Sequence, residues 1–195
     1  MKHDPHKHHR RSIRLKEYDY SQPGGYFVTI CTHGKEQLFG RIVDGELKLN
    51  MAGREIENYW RDIPKRFPSV EIDEFVIMPN HVHGIVFIIG DDRIKQSTPF
   101  VVGAIHELPL QRRQMLLAKV IGRFKMTAAK RINELRGMNG CPVWQRNYYE
   151  HIIRGEKDLN AIRKYIVNNP ARWGEDEENM NLERSVKRKF GKGGV

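Results

Sequence analysis

The chain has 195 residues, and its 34 lysines and arginines against 24 acidic residues give a formal net charge of +10 and a pI near 9.7. Two cysteines allow at most one disulfide, which argues against a small secreted fold built on disulfides. No apolar run reaches the ~18 residues of a membrane span, and the N-terminus lacks the apolar core of a signal peptide. We therefore expect a soluble cytoplasmic protein with a polyanionic partner, nucleic acid rather than a membrane.

The positive charge is concentrated in three segments. Residues 1–14 carry a net charge of +4 and residues 184–195 carry +5. Residues 111–136 hold eight basic residues and a single acid, Glu134, for a net charge of +7. The rest of the chain is therefore acidic, and one internal segment of it is selectively basic.

Composition also predicts the domain organisation. We expect a basic flexible N-terminal tail over residues 1–14, one domain over residues 15–175 and a charged flexible C-terminal tail over residues 176–195. Within the domain, residues 90–110 combine Gly, Asp, Ser, Thr and Pro without a regular period. We predict a mobile loop or insertion there.

The predicted elements mix strands with helices. In chain order they are a strand in YFVTICTH (26–33), a hairpin in RIVDGELKLN (41–50), a helix over 51–67, strands over 70–79 and 81–89 joined at Pro79-Asn80, a helix over 115–135, an extended or mixed segment over 142–154, and a helix over 157–169 that stops at Pro170. This order predicts an α+β fold with a central antiparallel sheet and helices on one face.

The most distinctive local feature is His81-Val82-His83. Alternation along a strand places both imidazoles on one face, where they could converge on a divalent metal or be ordinary half-buried histidines. Gly84 follows at once, and we interpret its missing side chain as room beside the pair for a bulky ligand.

Three ordered motifs carry a resemblance to a known family. The run PNHVHGIV (79–86) is similar to the His-hydrophobic-His motif of HUH endonucleases. From about Gly24 to Trp173 the chain resembles the single-tyrosine HUH transposases, in particular REP-associated tyrosine transposases and their insertion-sequence relatives. The other matching segments are VWQRNYYEHIIR (143–154) and YIVNNPARW (165–173).

The resemblance implies a fold, a cofactor and an activity. The fold would be a ferredoxin-like (RRM-like) sandwich, and the cofactor a bound Mg²⁺ or Mn²⁺. The activity would be that of a DNA transposase, a single-stranded DNA endonuclease and strand-transferase that acts on hairpin or palindromic repeat DNA through a covalent 5′-phosphotyrosine. It further implies a bacterial, nucleoid-associated protein that works as a homodimer or as a monomer.

Tyr165 and Asn169 lie four residues apart and therefore share a face of the last predicted helix. By resemblance, Tyr165 is the nucleophile, and Asn169 is the third metal ligand beside His81 and His83, at a position where family members often carry Gln. Without the resemblance, Tyr165 would be interpreted as a core aromatic and Asn169 as a helix C-cap before Pro170.

Other residues remain candidates for the site. Tyr148 and Tyr149 compete with Tyr165 as nucleophiles because they lie beside His151 in a polar-aromatic cluster. His151 itself could orient a phosphate, hydrogen-bond to the backbone or act as a spare ligand.

The basic helix supplies the candidate DNA contacts, which are Arg123, Lys125, Lys130 and Arg131. Two other functions remain open at this stage. One is a non-catalytic repeat-DNA-binding protein that keeps the fold, and the other is a replication-initiator-type nickase.

Overall fold

The computed structural model describes residues 23–89, 115–176 and 178–179. The predicted N-terminal tail, the 90–110 segment and the basic 184–195 segment lie outside the described residues. The strands are β1 Gly24–Cys31, β2 Gly40–Val43, β3 Glu46–Leu49, β4 Val70–Ile77, β5 His81–Ile88 and β6 Tyr149–Ile153. The helices are α1 Met51–Arg61, α2 Ile63–Arg66, α3 Leu116–Arg136 and α4 Glu156–Asn168, and a 3₁₀ helix follows over Pro170–Glu175.

The main sheet has the order β4-β5-β1-β6, and all of its neighbouring strands are antiparallel. With α1 between β1 and β4, and α3 between β5 and β6, the chain follows the β-α-β-β-α-β path of a ferredoxin-like fold. The predicted α+β class and ferredoxin-like core are confirmed. The hairpin is confirmed as well, because β2 and β3 pair around a turn at Asp44 and Gly45, both with positive φ.

Alternation along β1 and β5 divides the core between the two faces of the sheet. Val28, Val82 and Val86 face one side, together with the buried residues of α1 and α3. Phe27 and Ile85 face the other side, where they pack against Ile166 of α4. The expectation that helices cover one face therefore holds for α1 and α3 and is wrong for α4, whose apolar stripe matches a second apolar strip on the sheet.

The sequence-based interpretation of Gly84 is also wrong. Gly84 pairs with Val28 and faces α1, on the side of the sheet opposite to His81 and His83. A Cβ added there would lie 2.3 Å from Cζ2 of Trp60. The indole ring of Trp60 thus fills the space next to Gly84, and the missing side chain lets α1 pack closely against the sheet.

Candidate active site

The two histidines of β5 lie on the face of the sheet that α4 covers. His83 is paired in register with Thr29 and His81 with Cys31, so all four side chains share this face. The histidines are almost fully buried, at 0% and 3% exposure for His81 and His83. Two buried polar rings in one layer must find partners within the protein or bind a ligand.

The imidazole rings face each other through their outer nitrogens. Nε2 of His81 lies 3.0 Å from Nε2 of His83. The inner nitrogens have other neighbours: Nδ1 of His81 lies 2.8 Å from Oδ1 of Asn80, and Nδ1 of His83 lies 2.9 Å from Oγ1 of Thr29. Burial lowers the pKa of His81 to about 3 and that of His83 well below its usual value, so both rings are neutral. Neutral imidazoles are the form that binds metals.

Helix α4 brings Tyr165 to the pair. Ile162 and Ile166 pack against the apolar strip of the sheet, and the Tyr165 hydroxyl then lies 3.3 Å from Nε2 of His83. Arg163 adds an ion pair with Asp73 of β4. Tyr165 remains 45% exposed, which excludes the alternative that it is a core aromatic.

A carboxylate that the sequence analysis missed completes the cluster. Oδ2 of Asp176 lies 3.9 Å from Nε2 of His81, and the ligand atoms of Asp176, His81 and His83 all lie within 4.8 Å of one another. The sequence-based domain boundary places Asp176 in the charged C-terminal tail over residues 176–195. The available signal was its distance of seven residues from Asn169, which is short enough for one 3₁₀ helix to return the chain to the site.

Asn169, the predicted third ligand, lies in the same cleft and is 4% exposed. Its Oδ1 is buried and accepts no hydrogen bond from the described residues. A buried amide oxygen without a donor is a costly arrangement that a cation or an ordered water would relieve. Its location is consistent with the ligand role that the resemblance implies, and the alternative of a simple C-cap leaves this oxygen unexplained.

The donor set fits a divalent cation. Two ligand atoms about 2.1 Å from an octahedral ion lie about 3.0 Å apart when they are adjacent, which equals the separation of the two Nε2 atoms. The carboxylate and amide oxygens of Asp176 and Asn169 would supply the hard ligands that Mg²⁺ and Mn²⁺ prefer. A cation would take the place of the one proton that the two nitrogens otherwise share.

His83, Tyr165, Asn169 and Asp176 border an open cleft of about 740 Å³, large enough for a nucleotide. Its described lining contains one cation, Arg172, against three carboxylates, Glu175, Asp176 and Glu178. With neutral histidines, such a cleft repels a phosphodiester and attracts a cation. A divalent ion bound beside the histidines would offset this repulsion.

Tyr149 and His151, the other candidates, lie on β6. Tyr149 lines the cleft and is 42% exposed, but among the described residues it makes no hydrogen bond with His81 or His83. Nε2 of His151 lies 3.0 Å from Oδ2 of Asp158, which also accepts a hydrogen bond from the Arg154 backbone N–H. His151 thus links β6 to the first turn of α4.

The four predicted DNA contacts differ in what they bind. The Lys125 ammonium donates to the carbonyl oxygens of Gln145 and Asn147, and burial lowers its pKa to about 8. Arg131 pairs with Glu55 and Glu134. Because Gln145 and Asn147 line the cleft, the bonds from Lys125 to their carbonyls hold one wall of it in place. Arg123 and Lys130 are exposed on α3, on the side of the sheet opposite the histidines.

None of the helices in the described ranges is long and apolar enough to cross a membrane. No family model matches the sequence. An uncharacterized protein of Haemophilus influenzae is 46% identical over 173 residues, which cover 87% of this chain and 93% of that protein.

The solved structures that are similar to this one include two transposases. A REP-associated tyrosine transposase bound to a REP hairpin has a TM-score of 0.49 and 21% identity, over 91% of this chain and 87% of that chain. A candidate transposase of Deinococcus radiodurans has a TM-score of 0.40 and 17% identity, over 80% of this chain and 97% of that chain.

Proposed function

The chain belongs to one family with the Haemophilus influenzae protein, and we propose that it is a metal-dependent single-tyrosine transposase of the HUH type. It would cleave and rejoin single-stranded DNA at hairpin or palindromic repeats. One observation carries the proposal: an exposed tyrosine hydroxyl lies 3.3 Å from one of two neutral, buried histidines that face each other at 3.0 Å. A non-catalytic DNA-binding protein would have no need for this arrangement.

Tyr165 is the proposed nucleophile. Its oxygen would form a bond to the scissile phosphorus while the bond from phosphorus to the 3′ oxygen breaks. The products are a 5′-phosphotyrosine and a free 3′-hydroxyl, which receives the proton that the phenol loses. Because a phenolate is also a good leaving group, the 3′-hydroxyl of another strand can reverse the step and rejoin the DNA.

His81 and His83 would hold the divalent ion, with Asp176 and Asn169 as oxygen ligands. The bound ion would polarise the phosphate and offset the charge that develops on it. The chain's own contribution is geometric. Docking of Ile162 and Ile166 against the sheet places the Tyr165 oxygen beside the histidine nitrogen that faces the ion site.

Helix α4 makes the site possible in a single chain. Tyr165 lies on this helix and Asn169 is its C-cap, and both line the cleft, while Arg163 anchors the helix to β4 of the same chain through Asp73. We therefore propose that a monomer can assemble the active site, with no exchange of α4 between two copies.

The test is a cleavage assay with a fluorescent single-stranded hairpin substrate. We expect a covalent protein–DNA adduct in Mg²⁺ or Mn²⁺, none in EDTA, none with Tyr165→Phe and severe loss with His81→Ala. Tyr149→Phe is the matched control, because Tyr149 is similarly exposed in the same cleft and should be dispensable for the adduct.

Two results would contradict the proposal. An adduct that persists in Tyr165→Phe and disappears in Tyr149→Phe would move the nucleophile to β6. Tight binding of the hairpin without any adduct, in either metal, would favour the non-catalytic DNA-binding protein.

A further inference from the structure

Asn80 is a buried polar residue at the start of β5 that the proposed reaction does not use. It is 1% exposed, and its side-chain amide has three neighbours. Nδ2 lies 2.7 Å from the carbonyl oxygen of Glu178 and 3.2 Å from that of Lys35, while Oδ1 lies 2.8 Å from Nδ1 of His81.

These neighbours fix the orientation of the amide. Two carbonyl oxygens can only accept hydrogen bonds, so the group that faces them must be the NH₂ of Asn80. The other end is then the amide oxygen, which accepts only. Nδ1 of His81 must therefore carry a hydrogen, and in a neutral ring its Nε2 is a bare lone pair that points toward His83.

His83 has a different kind of partner. The Thr29 hydroxyl can rotate, so it either donates to Nδ1 of His83 or accepts from it. Without a cation, the 3.0 Å contact requires Nε2 of His83 to donate to the bare Nε2 of His81. When both Nε2 atoms must offer lone pairs, the proton of His83 can move to Nδ1 and donate to Thr29.

Asn80 also attaches to the domain the segment that carries Asp176, which comprises residues 173–176 and 178–179. Its bond to the Glu178 carbonyl attaches this segment to the domain, and so does the ion pair between Lys35 and the Glu178 side chain. Within the segment, the Asn179 amide donates to the Trp173 carbonyl. One amide thus contacts both a candidate ligand and the chain that bears another.

We propose that Asn80 is a positioning residue that fixes His81 in the Nδ1–H tautomer and holds the Asp176 segment over the site. This inference rests on the proposed function, because a metal ligand requires an Nε2 whose lone pair is always free. The proton pattern and the attachment are properties of the chain itself, and they can be measured without DNA.

Two variants separate the two roles. Asn80→Asp keeps an oxygen that accepts from His81 but cannot donate to the Lys35 and Glu178 carbonyls. Asn80→Ala removes both roles. Asn133→Ala is the control, because Asn133 is also buried and donates one amide bond, to the Cys141 carbonyl on the α3 side of the sheet.

The experiment records long-range ¹H–¹⁵N correlations of the full chain labelled at histidine, with His81 and His83 assigned from their alanine variants. In the metal-free wild type we expect hydrogen on Nδ1 of His81 and on Nε2 of His83. Added Mg²⁺ should move the His83 hydrogen to Nδ1. Asn80→Asp should keep the His81 pattern, whereas Asn80→Ala should give a mixture of tautomers.

Amide hydrogen exchange and metal titration complete the test. Exchange at residues 173–179 should increase in both Asn80 variants and stay unchanged in Asn133→Ala. Mn²⁺ affinity should fall about 10- to 100-fold in Asn80→Ala, the usual effect of removing a residue that orients a ligand. If Asn80→Ala fails to fold, Asn80→Asp still tests the attachment and the wild type still tests the tautomers.

Hydrogen on Nε2 of His81 in the metal-free wild type would overturn the inference, as would unchanged exchange at residues 173–179 in Asn80→Asp. Failure of the proposed function would look different. The tautomers would be as stated, but no DNA adduct would form.

Discussion

Replacing Gly84 with alanine should destabilise the protein without affecting the histidines directly. The added Cβ would lie 2.3, 2.9 and 3.1 Å from three atoms of the Trp60 ring, whereas carbon atoms normally approach to about 3.5 Å. The ring would have to move by about 1 Å. It has little freedom to do so, because it is fully buried and packs against Phe75 and Phe124. We expect a loss of about 2–3 kcal/mol, the upper part of the range for overpacked cores.

The assay is equilibrium unfolding in urea, followed by tryptophan fluorescence. Gly122→Ala is the control, since Gly122 lies in α3 with nothing within 4 Å of an added Cβ. That change should stabilise the protein by about 0.5–1 kcal/mol. Unchanged stability of Gly84→Ala with weakened Mn²⁺ binding would refute the packing argument and restore the interpretation of Gly84 as room for a ligand.

Two further predictions concern charged residues. Hydrogen bonds from Arg163 lower the pKa of Asp73, so their contribution to stability should be present above about pH 4 and lost as the pH falls through the lowered value. Urea unfolding across this range should show a weaker acid dependence for Arg163→Leu. In binding to hairpin DNA, Arg123→Ala and Lys130→Ala should each reduce the slope of log K against log salt by about 1, whereas Lys125→Met should lower stability and leave the slope unchanged.

The sequence predicts most of the secondary structure because periodicity reflects burial. The continuous apolar run over 84–89 predicts a strand buried on both faces, and the three- to four-residue spacing of Leu159, Ile162 and Ile166 predicts one buried helix face. What periodicity cannot report is which face of the sheet each element covers. The placement of α4 opposite α1 and α3 depends on a match between Ile166 and the strip at Phe27 and Ile85, which are distant in sequence.

The site was partly predictable for the same reason. His81, His83 and Tyr165 lie within regular elements and Asn169 lies at the end of one, so their spacing specifies shared faces, and the motif resemblance joins the two elements. Asp176 lies beyond the last helix, where no period applies and an acidic residue resembles a solvated tail. Likewise, the charge of Lys125 suggested DNA, and only the three-dimensional structure reveals the backbone carbonyls that it binds.

In the proposed reaction, Tyr165 and the His81–His83 pair act on one phosphate. The most direct measurement is mass spectrometry of the proteolysed adduct formed between the wild-type protein and a single-stranded hairpin in Mn²⁺. We predict a nucleotide joined through its 5′-phosphate to the peptide that contains Tyr165, and no such peptide when His81→Ala and His83→Ala are combined. A nucleotide attached to Tyr148 or Tyr149, or an adduct at Tyr165 that forms equally well without the two histidines, would contradict the claim.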